Sequence, residues 1–125
     1  MVFTDAMAAA GVADGRYELG PMSVVVHDGV ARVVPEGGTA ESGGEGPIAG
    51  GTAHLIDVVR GVVAGGVSLV DAVRSATAVP ARVLGLTGEV GSLEPGARAD
   101  VLVTDADLRP VRVLRHGVDV GVAGA

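Results

Sequence analysis

The chain has 125 residues, and its apolar fraction of 48% is sufficient for a buried core. A net charge of −6 without any Lys/Arg cluster excludes an extended phosphate-binding surface, so we expect no nucleic acid partner. No cysteine is present, which excludes disulfides and thiolate metal sites. No apolar run approaches the roughly 20 residues of a membrane span. The composition therefore favours a cytoplasmic protein without a membrane partner.

The first predicted element is a short buried strand over residues 2–4, which ends at Asp5. The small-residue segment that follows it is typical of a loop or a short helical turn, and Asp14-Gly15 closes it. An aspartate at the end of a buried strand, followed by a tight loop, is a common position for a catalytic carboxylate. Asp5 is therefore the first candidate functional residue.

Two valine-rich runs then flank the pair Asp28-Gly29. This pair is typical of a type I′ turn, in which both central residues need a positive φ. We predict a β-hairpin with strands over residues 23–27 and 30–34.

A glycine-rich segment covers residues 37–51, with seven glycines in fifteen positions. The backbone entropy of glycine predicts a flexible loop rather than a strand or helix. The segment lacks the Gly-Lys-Ser/Thr ending of a P-loop, and Glu41 and Glu45 would repel a phosphate. We therefore do not interpret residues 37–46 as a nucleotide-binding loop.

The hydrophobic period then changes to that of a helix, and three helices are predicted. The first begins near Leu55 and ends at Gly65-Gly66. A capping-box pattern at Ser68 opens the second. The third begins at Pro80, which suits a first helical turn, and ends at Gly85.

The last part of the chain is predicted to be β again. The stretch "ADVLVTDA" is an apolar strand, residues 108–110 turn the chain, "VRVLRHG" returns, and "VDV" ends the sheet. The final "GVAGA" is expected to fray. Helices between two groups of strands indicate an α/β fold.

Two stretches of the sequence carry a resemblance to a known family. "FTDAMAAAGVADGRYELG", followed by a hairpin and a loop ending in "IAGGT", resembles the N-acetylglucosamine-6-phosphate deacetylases, which are metal-dependent amidohydrolases. The later stretches "SATAVPARVLGL" and "GEVGSLEPGARADVLVTDADL" resemble the C-terminal signature of the wider amidohydrolase superfamily. Together they cover nearly the whole chain.

The resemblance implies a C-terminal fragment of a (β/α)₈ barrel together with strands of the small β-sandwich that flanks it. Residues 1–86 would hold the last barrel strand, the inserted hairpin, the glycine loop and the following helices. Residues 87–125 would hold the C-terminal strands of the sandwich. A missing N-terminal barrel part or self-association would complete the fold.

The resemblance also implies roles for individual residues. Asp5 matches the catalytic aspartate, which contacts the metal-bound water and relays its proton. Ile48, Ala49 and Gly50 match a loop whose backbone touches the sugar phosphate substrate. The family usually has Ser or Thr directly after that glycine, and this chain has Gly51 instead.

The family uses a divalent metal of the zinc type, held by a Glu and two His residues that have no counterpart here. His27, His54 and His116 show neither H-x-H nor H-x₃-H spacing, and we expect them to be surface or turn residues. We therefore predict no metal ligand in this chain, apart from indirect contact through Asp5.

The implied activity is hydrolysis of the acetamide of N-acetylglucosamine 6-phosphate to glucosamine 6-phosphate and acetate, in amino-sugar catabolism. Because the metal ligands are missing, we expect the chain to be inactive alone. Two alternatives stay open. One is a vestigial, non-catalytic fragment or association module, and the other is a different amidohydrolase, such as a dihydroorotase-like enzyme.

Overall fold

The structure is a computed structural model that describes residues 1–38 and 46–122. Its contacts divide the chain into two units, one formed by residues 3–58 and the other by residues 1–2 and the chain from residue 59 onwards. The predicted boundary between residues 86 and 87 concerns the barrel and sandwich of the family, and it stays a prediction. Residues 39–45 of the predicted glycine loop and the last three residues of the chain lie outside the described residues.

The unit of residues 3–58 contains a four-stranded antiparallel sheet with the strands in sequence order. Its strands are β1 (Gly15–Leu19), β2 (Met22–His27), β3 (Val30–Val33) and β4 (Ile48–Gly50). The predicted hairpin is confirmed, because β2 and β3 pair through a turn in which Asp28 and Gly29 have φ values of 49° and 71°.

The core of this unit lies on one face of the sheet. Val24 and Val26 alternate along β2 and so point to the same side, and Ala31 lies opposite Val26 on β3. All three are buried, and Ala9 from the segment after Asp5 completes the cluster. Each fully buried valine contributes roughly 1.5–3 kcal/mol of hydrophobic stabilisation. The core therefore attaches the Asp5 segment to the sheet.

One strand prediction and one loop prediction in the first half of the chain are wrong. Residues 2–4 form no strand, and Phe3 is 72% exposed; the described pairing in this region is an isolated parallel bridge between Ala6 and Gly51. Ile48–Gly50, predicted as loop, is strand β4. In both cases the availability of a neighbouring strand decides the outcome, because β-structure depends on pairing more than on intrinsic propensity.

The three predicted helices are present, as α1 (Leu55–Ala64), α2 (Leu69–Ala76) and α3 (Ala78–Val83). α1 ends before Gly65-Gly66, as predicted. α3 begins two residues earlier than expected, at Ala78 rather than Pro80. A proline is tolerated there because backbone N–H groups of the first helical turn have no partner within the helix.

The second unit also contains a three-stranded antiparallel sheet. Its strands are β5 (Val101–Thr104), β6 (Pro110–Arg115) and β7 (Val118–Asp119). The three strands are predicted correctly apart from their ends, since β5 is shorter than the predicted strand and β6 begins at Pro110, a residue predicted to lie in the turn. In the described parts of the chain, no helix is long and apolar enough to cross a membrane.

Candidate functional site

Asp5 lies at the start of an irregular segment in the unit of residues 3–58, which we call the first unit, and its side chain is exposed. Its φ is 50°, a left-handed conformation that is uncommon for a residue with a Cβ. The Asp5 carbonyl oxygen accepts a hydrogen bond from the N–H of Gly51 over 2.8 Å, and the N–H of Met7 donates to the Gly51 carbonyl over 3.1 Å. The structure therefore brings Asp5 directly beside the end of β4.

Strand β4 carries the three residues predicted to contact substrate. Arg32 of β3 pairs with Ile48, whereas the preceding Ala31 pairs with Gly50, so that Ala49 is an extra residue in a β-bulge. A bulge interrupts regular pairing and redirects the local backbone, and bulges are frequent beside active sites. The predicted catalytic residue and the predicted substrate-contacting backbone thus lie on adjacent segments.

Close backbone packing explains why glycine, rather than Ser or Thr, follows Gly50 in this chain. A Cβ at position 51 would overlap the carbonyl oxygen of Thr4, because the two backbones approach closely there. The hydroxyl of the next residue, Thr52, donates to the carbonyl of Gly29 at the hairpin turn. Glycine is therefore required at position 51 by the packing of the Asp5 segment.

The hydroxyl of Thr52 does not cap helix α1. That function belongs to Asp57, whose carboxylate accepts a hydrogen bond from the N–H of His54 over 3.0 Å. The aspartate is in the first turn of α1, where a negative charge is also favoured by the helix dipole. The first turn of α1 thus supplies the carboxylate that caps the helix.

His54 packs against the loop that follows Asp5. Its imidazole covers Gly11, where an added Cβ would lie 2.7 Å from the ring carbon Cε1. Gly11 has a φ of 72°, and its N–H donates to the Thr52 carbonyl over 3.3 Å. His54 is therefore an exposed residue that packs on a loop, as predicted.

The divalent metal implied by the resemblance does not fit the residues around Asp5. In residues 1–38 and 46–122, the one group of three potential ligands is Asp14, His27 and Asp28, whose ligating atoms lie within 4.8 Å of one another. Asp5 is not a member of this group. His27 and Asp28 have side chains 79% and 88% exposed, at the hairpin turn.

The carboxylate of Asp14 is also engaged by the backbone. It accepts hydrogen bonds from the N–H of Asp28 over 2.8 Å and of Gly29 over 3.4 Å. These two donors, in that order, hold the pKa of Asp14 below its ordinary value. Asp14 therefore stabilises the hairpin turn. The group of Asp14, His27 and Asp28 is not the Glu and two His residues with which the family holds its metal.

The sequence analysis missed this function of Asp14. It assigned the residue to the end of its own loop, whereas the turn that it binds lies 14 residues further along the chain. The Asp28-Gly29 signal identifies the turn, but no local pattern identifies its partner. A long-range side-chain contact of this kind is visible only in the folded chain.

Comparisons with known proteins identify the family of the chain. The sequence profile described as "Amidohydrolase family" matches residues 6–122. An N-acetylgalactosamine-6-phosphate deacetylase of Escherichia coli is 40% identical over 118 residues, which are 94% of this chain and 29% of that protein. The human N-acetylglucosamine-6-phosphate deacetylase is 35% identical over 109 residues, which are 86% of this chain and 24% of the human protein.

A solved structure supports the same relationship. An N-acetyl-D-glucosamine-6-phosphate deacetylase mutant of Mycobacterium smegmatis, in complex with N-acetyl-D-glucosamine-6-phosphate, is 44% identical with a TM-score of 0.77. The match covers 95% of this chain and 30% of that one. The chain thus spans 24% to 29% of the length of the human and Escherichia coli deacetylases. On the profile match over nearly all of its length, the chain belongs to the amidohydrolase family.

Proposed function

We propose that this chain is the Asp5-bearing part of a deacetylase that hydrolyses N-acetylglucosamine 6-phosphate to glucosamine 6-phosphate and acetate. The observation that carries the proposal is the hydrogen bond between the Gly51 N–H and the Asp5 carbonyl. It joins the proposed acid–base residue to the backbone proposed to contact substrate. The deacetylase relatives, which align over 86% to 94% of the chain, support the same activity.

The proposed architecture follows from that relationship. Residues 1–86 correspond to the end of a (β/α)₈ barrel, with the hairpin sheet as an insertion, and residues 87–125 to strands of a flanking β-sandwich. The C-terminal ends of barrel strands are where active sites form, which suits the position proposed for Asp5. The left-handed φ of Asp5 supports a functional role, because strained backbone is concentrated at active sites.

Asp5 would act as general base and then as general acid. As the water oxygen bonds to the acetamide carbon, the carboxylate takes a proton from that water. As the C–N bond breaks, the same proton passes to the nitrogen, so that the amine leaves neutral and the acetyl group leaves as acetic acid, which then loses the second proton of the water to become acetate. The relay is needed because an amine anion is too poor a leaving group to depart unprotonated.

Ile48, Ala49 and Gly50 would hold the sugar phosphate through their backbone. The bulge at Ala49 supports this role, because it interrupts regular pairing beside Asp5. Gly50 has a φ of 150°, and the conformation suits close contact without a side chain.

The family's divalent ion, proposed to be of the zinc type, would be held by residues that the described chain does not supply around Asp5. We therefore expect the isolated chain to bind no stoichiometric zinc after dialysis and to release no acetate from substrate. Metal analysis and an acetate-release assay check this expectation. Bound zinc at one equivalent together with turnover would contradict it.

The proposed role of Asp5 is tested in a chimera. This chain replaces the matching 30% of the Mycobacterium smegmatis enzyme, to which it is 44% identical. We expect the chimera to release acetate, and Asp5→Asn to lower kcat by roughly 10²–10⁴, the usual contribution of a general acid–base. Asp107→Asn, an exposed carboxylate of the β5–β6 turn, is the matched control and should retain turnover.

Full activity of the Asp5→Asn chimera would overturn the proposed function. Assaying N-acetylgalactosamine 6-phosphate in parallel tests the choice of sugar, since a relative is named for that epimer. A cytoplasmic location and self-association of the isolated chain stay predictions. The vestigial and dihydroorotase-like alternatives are not favoured, because amino-sugar-phosphate deacetylases align over 86% to 94% of the chain.

A further inference from the structure

Three separate segments of the first unit meet at the carbonyl and N–H of Gly29. Asp14 accepts a hydrogen bond from the Gly29 N–H over 3.4 Å and a shorter one from Asp28. The Thr52 hydroxyl donates to the Gly29 carbonyl. The Thr52 carbonyl in turn accepts from the N–H of Gly11. We name this closed ring of Gly11, Asp14, Gly29 and Thr52 the Gly29 network.

The Gly29 network joins the same two segments that meet at Asp5. One segment runs from Asp5 to Asp14, and the other from Ile48 to Thr52. At the first end, the N–H of Gly51 donates to the Asp5 carbonyl over 2.8 Å. At the other end, the hydrogen bonds of the Gly29 network connect the two segments through the hairpin turn. The segment that carries Asp5 is thus held at both ends.

The segment needs such support because it has little regular structure. In residues 5–14, the described elements are one isolated bridge, at Ala6, and turns. No helix or sheet ladder fixes the position of Asp5, which also has an uncommon left-handed φ. Catalytic groups must be held to within a fraction of an ångström, and a displacement of about 1 Å can cost roughly 10² in rate.

We propose that Asp14 and Thr52 are positioning residues, which fix the Asp5 segment against the Ile48–Gly51 backbone through the turn at Gly29. Neither residue touches substrate in this proposal. The hydrogen bonds from backbone N–H groups to the ionised Asp14 are of the stronger, charge-assisted kind. The hydrogen bonds of the Gly29 network do not depend on the proposed function. Their proposed role in catalysis does rest on that function.

The first test measures amide hydrogen exchange in the chain alone. Thr52→Val keeps the shape of the side chain and removes the hydroxyl. We expect it to accelerate exchange of the Gly51 N–H by roughly 3- to 10-fold, the equivalent of one hydrogen bond, and Thr52→Ser to restore the slow rate. Asp14→Asn should also accelerate it.

A matched control is Asp105→Asn. Asp105 caps the β5–β6 turn in the other unit by accepting from the N–H groups of Asp107 and Arg109. This variant removes a comparable carboxylate and should leave the Gly51 exchange rate unchanged. Unchanged Gly51 exchange in Thr52→Val, or equal acceleration in Asp105→Asn, would overturn the inference.

The second test uses the chimera defined above. Thr52→Val should lower kcat by roughly 10- to 100-fold with little change in KM, and Thr52→Ser should restore kcat, because a misplaced Asp5 affects the chemical step rather than binding. Wild-type kcat in Thr52→Val, with Asp5→Asn inactive, would overturn the positioning role and leave the proposed function intact. Full turnover in Asp5→Asn would instead overturn the proposed function, while the exchange result on the chain alone would still stand.

Discussion

Gly51 shows how a single hydrogen atom in place of a side chain permits the arrangement around Asp5. A Cβ there would overlap the Thr4 carbonyl oxygen, which is backbone and cannot move aside cheaply. We expect Gly51→Ala to lower the free energy of unfolding by roughly 1–3 kcal/mol, because the segments must separate. Urea denaturation measures the change.

Gly61 provides the control for that substitution. It lies within α1, and a Cβ there would meet no atom within 4 Å. Gly61→Ala should stabilise the chain by roughly 0.5–1 kcal/mol, because alanine loses less backbone entropy in a helix. Stability changes of opposite sign in the two glycine-to-alanine variants would separate the effect of close backbone approach from the effect of intrinsic helix propensity. Equal effects would contradict the proposed packing at Gly51.

Asp14 gives the first unit a defined dependence on pH. The N–H groups of Asp28 and Gly29 lower its pKa, and nearby His27 contributes in the same direction. A carboxylate with a lowered folded pKa adds stability that is fully present above its unfolded pKa of about 3.9 and is lost as the pH falls through the folded value. Asp14→Asn should therefore be less stable than wild type at neutral pH, with the difference shrinking on acidification below about pH 4.

Urea midpoints of the wild type and the Asp14→Asn variant, measured across that pH range, check this expectation. The comparison between the two proteins is necessary because Asp100 and Asp119 also have lowered pKa values, caused first by the N–H groups of His116 and Gly121 respectively. A stability difference that stays constant on acidification would show that the Asp14 carboxylate does not stabilise the turn.

Among the secondary-structure elements, α2 depends most clearly on a local signal. The Ser68 hydroxyl oxygen accepts a hydrogen bond from the N–H of Asp71 over 3.1 Å and donates to the Asp71 carboxylate over 2.7 Å. Ser68→Ala should cost about 1 kcal/mol of stability, because the N–H at the helix start loses its partner. Ser68→Thr keeps the hydroxyl and should cost much less, as measured by urea denaturation followed by circular dichroism. Equal losses in the two variants would contradict the capping role.

The helices could be predicted from sequence because their signals are local. The hydrophobic spacing of α1, the serine cap of α2 and the glycines after α1 and α3 all lie within a few residues of the ends that they define. The hairpin of β2 and β3 was predictable for the same reason. Its turn residues are adjacent in the chain.

The remaining strands could not be predicted in this way. Gly15–Leu19 contains too few β-branched residues to stand out, yet it forms β1 by pairing along β2. Ile48–Gly50 is too rich in glycine to be predicted as a strand, yet it forms β4 against β3. Residues 2–4 have the composition of a strand but form none. Each outcome depends on a partner that lies elsewhere in the sequence.

The residues of the candidate site likewise fall into those that the sequence could identify and those that it could not. Asp5 and Ile48–Gly50 could be selected through short motifs that resemble a family. Asp14 and Thr52 could not, since their bonds to the turn connect residues 14 and 23 positions apart. Residues that support a site through long-range contacts leave no local pattern, even where they decide its geometry.

At the scale of the whole molecule, the sheet of β5, β6 and β7 contributes no buried residue within the described chain. The register places Leu102, Val118 and Val120 on one face, and all three are exposed. The opposite face carries an ion pair between Arg112 and Asp119 over 2.9 Å. A three-stranded sheet normally gains its stability by covering an apolar face, so we expect this face to be a surface for association.

We therefore expect the isolated chain to self-associate, or to bind a hydrophobic dye, through the face that contains Val118 and Val120. The double variant Val118→Ser and Val120→Ser should lower dye fluorescence and shift size-exclusion elution toward the monomer, because it removes apolar area from that face. Arg112→Ser is the matched control on the opposite face, and it should change neither reading, since an exposed ion pair contributes little. Analytical ultracentrifugation over a range of concentrations gives the association constant of each variant. A wild-type chain that stays monomeric at all concentrations and binds no dye would show that the exposed valines do not drive association.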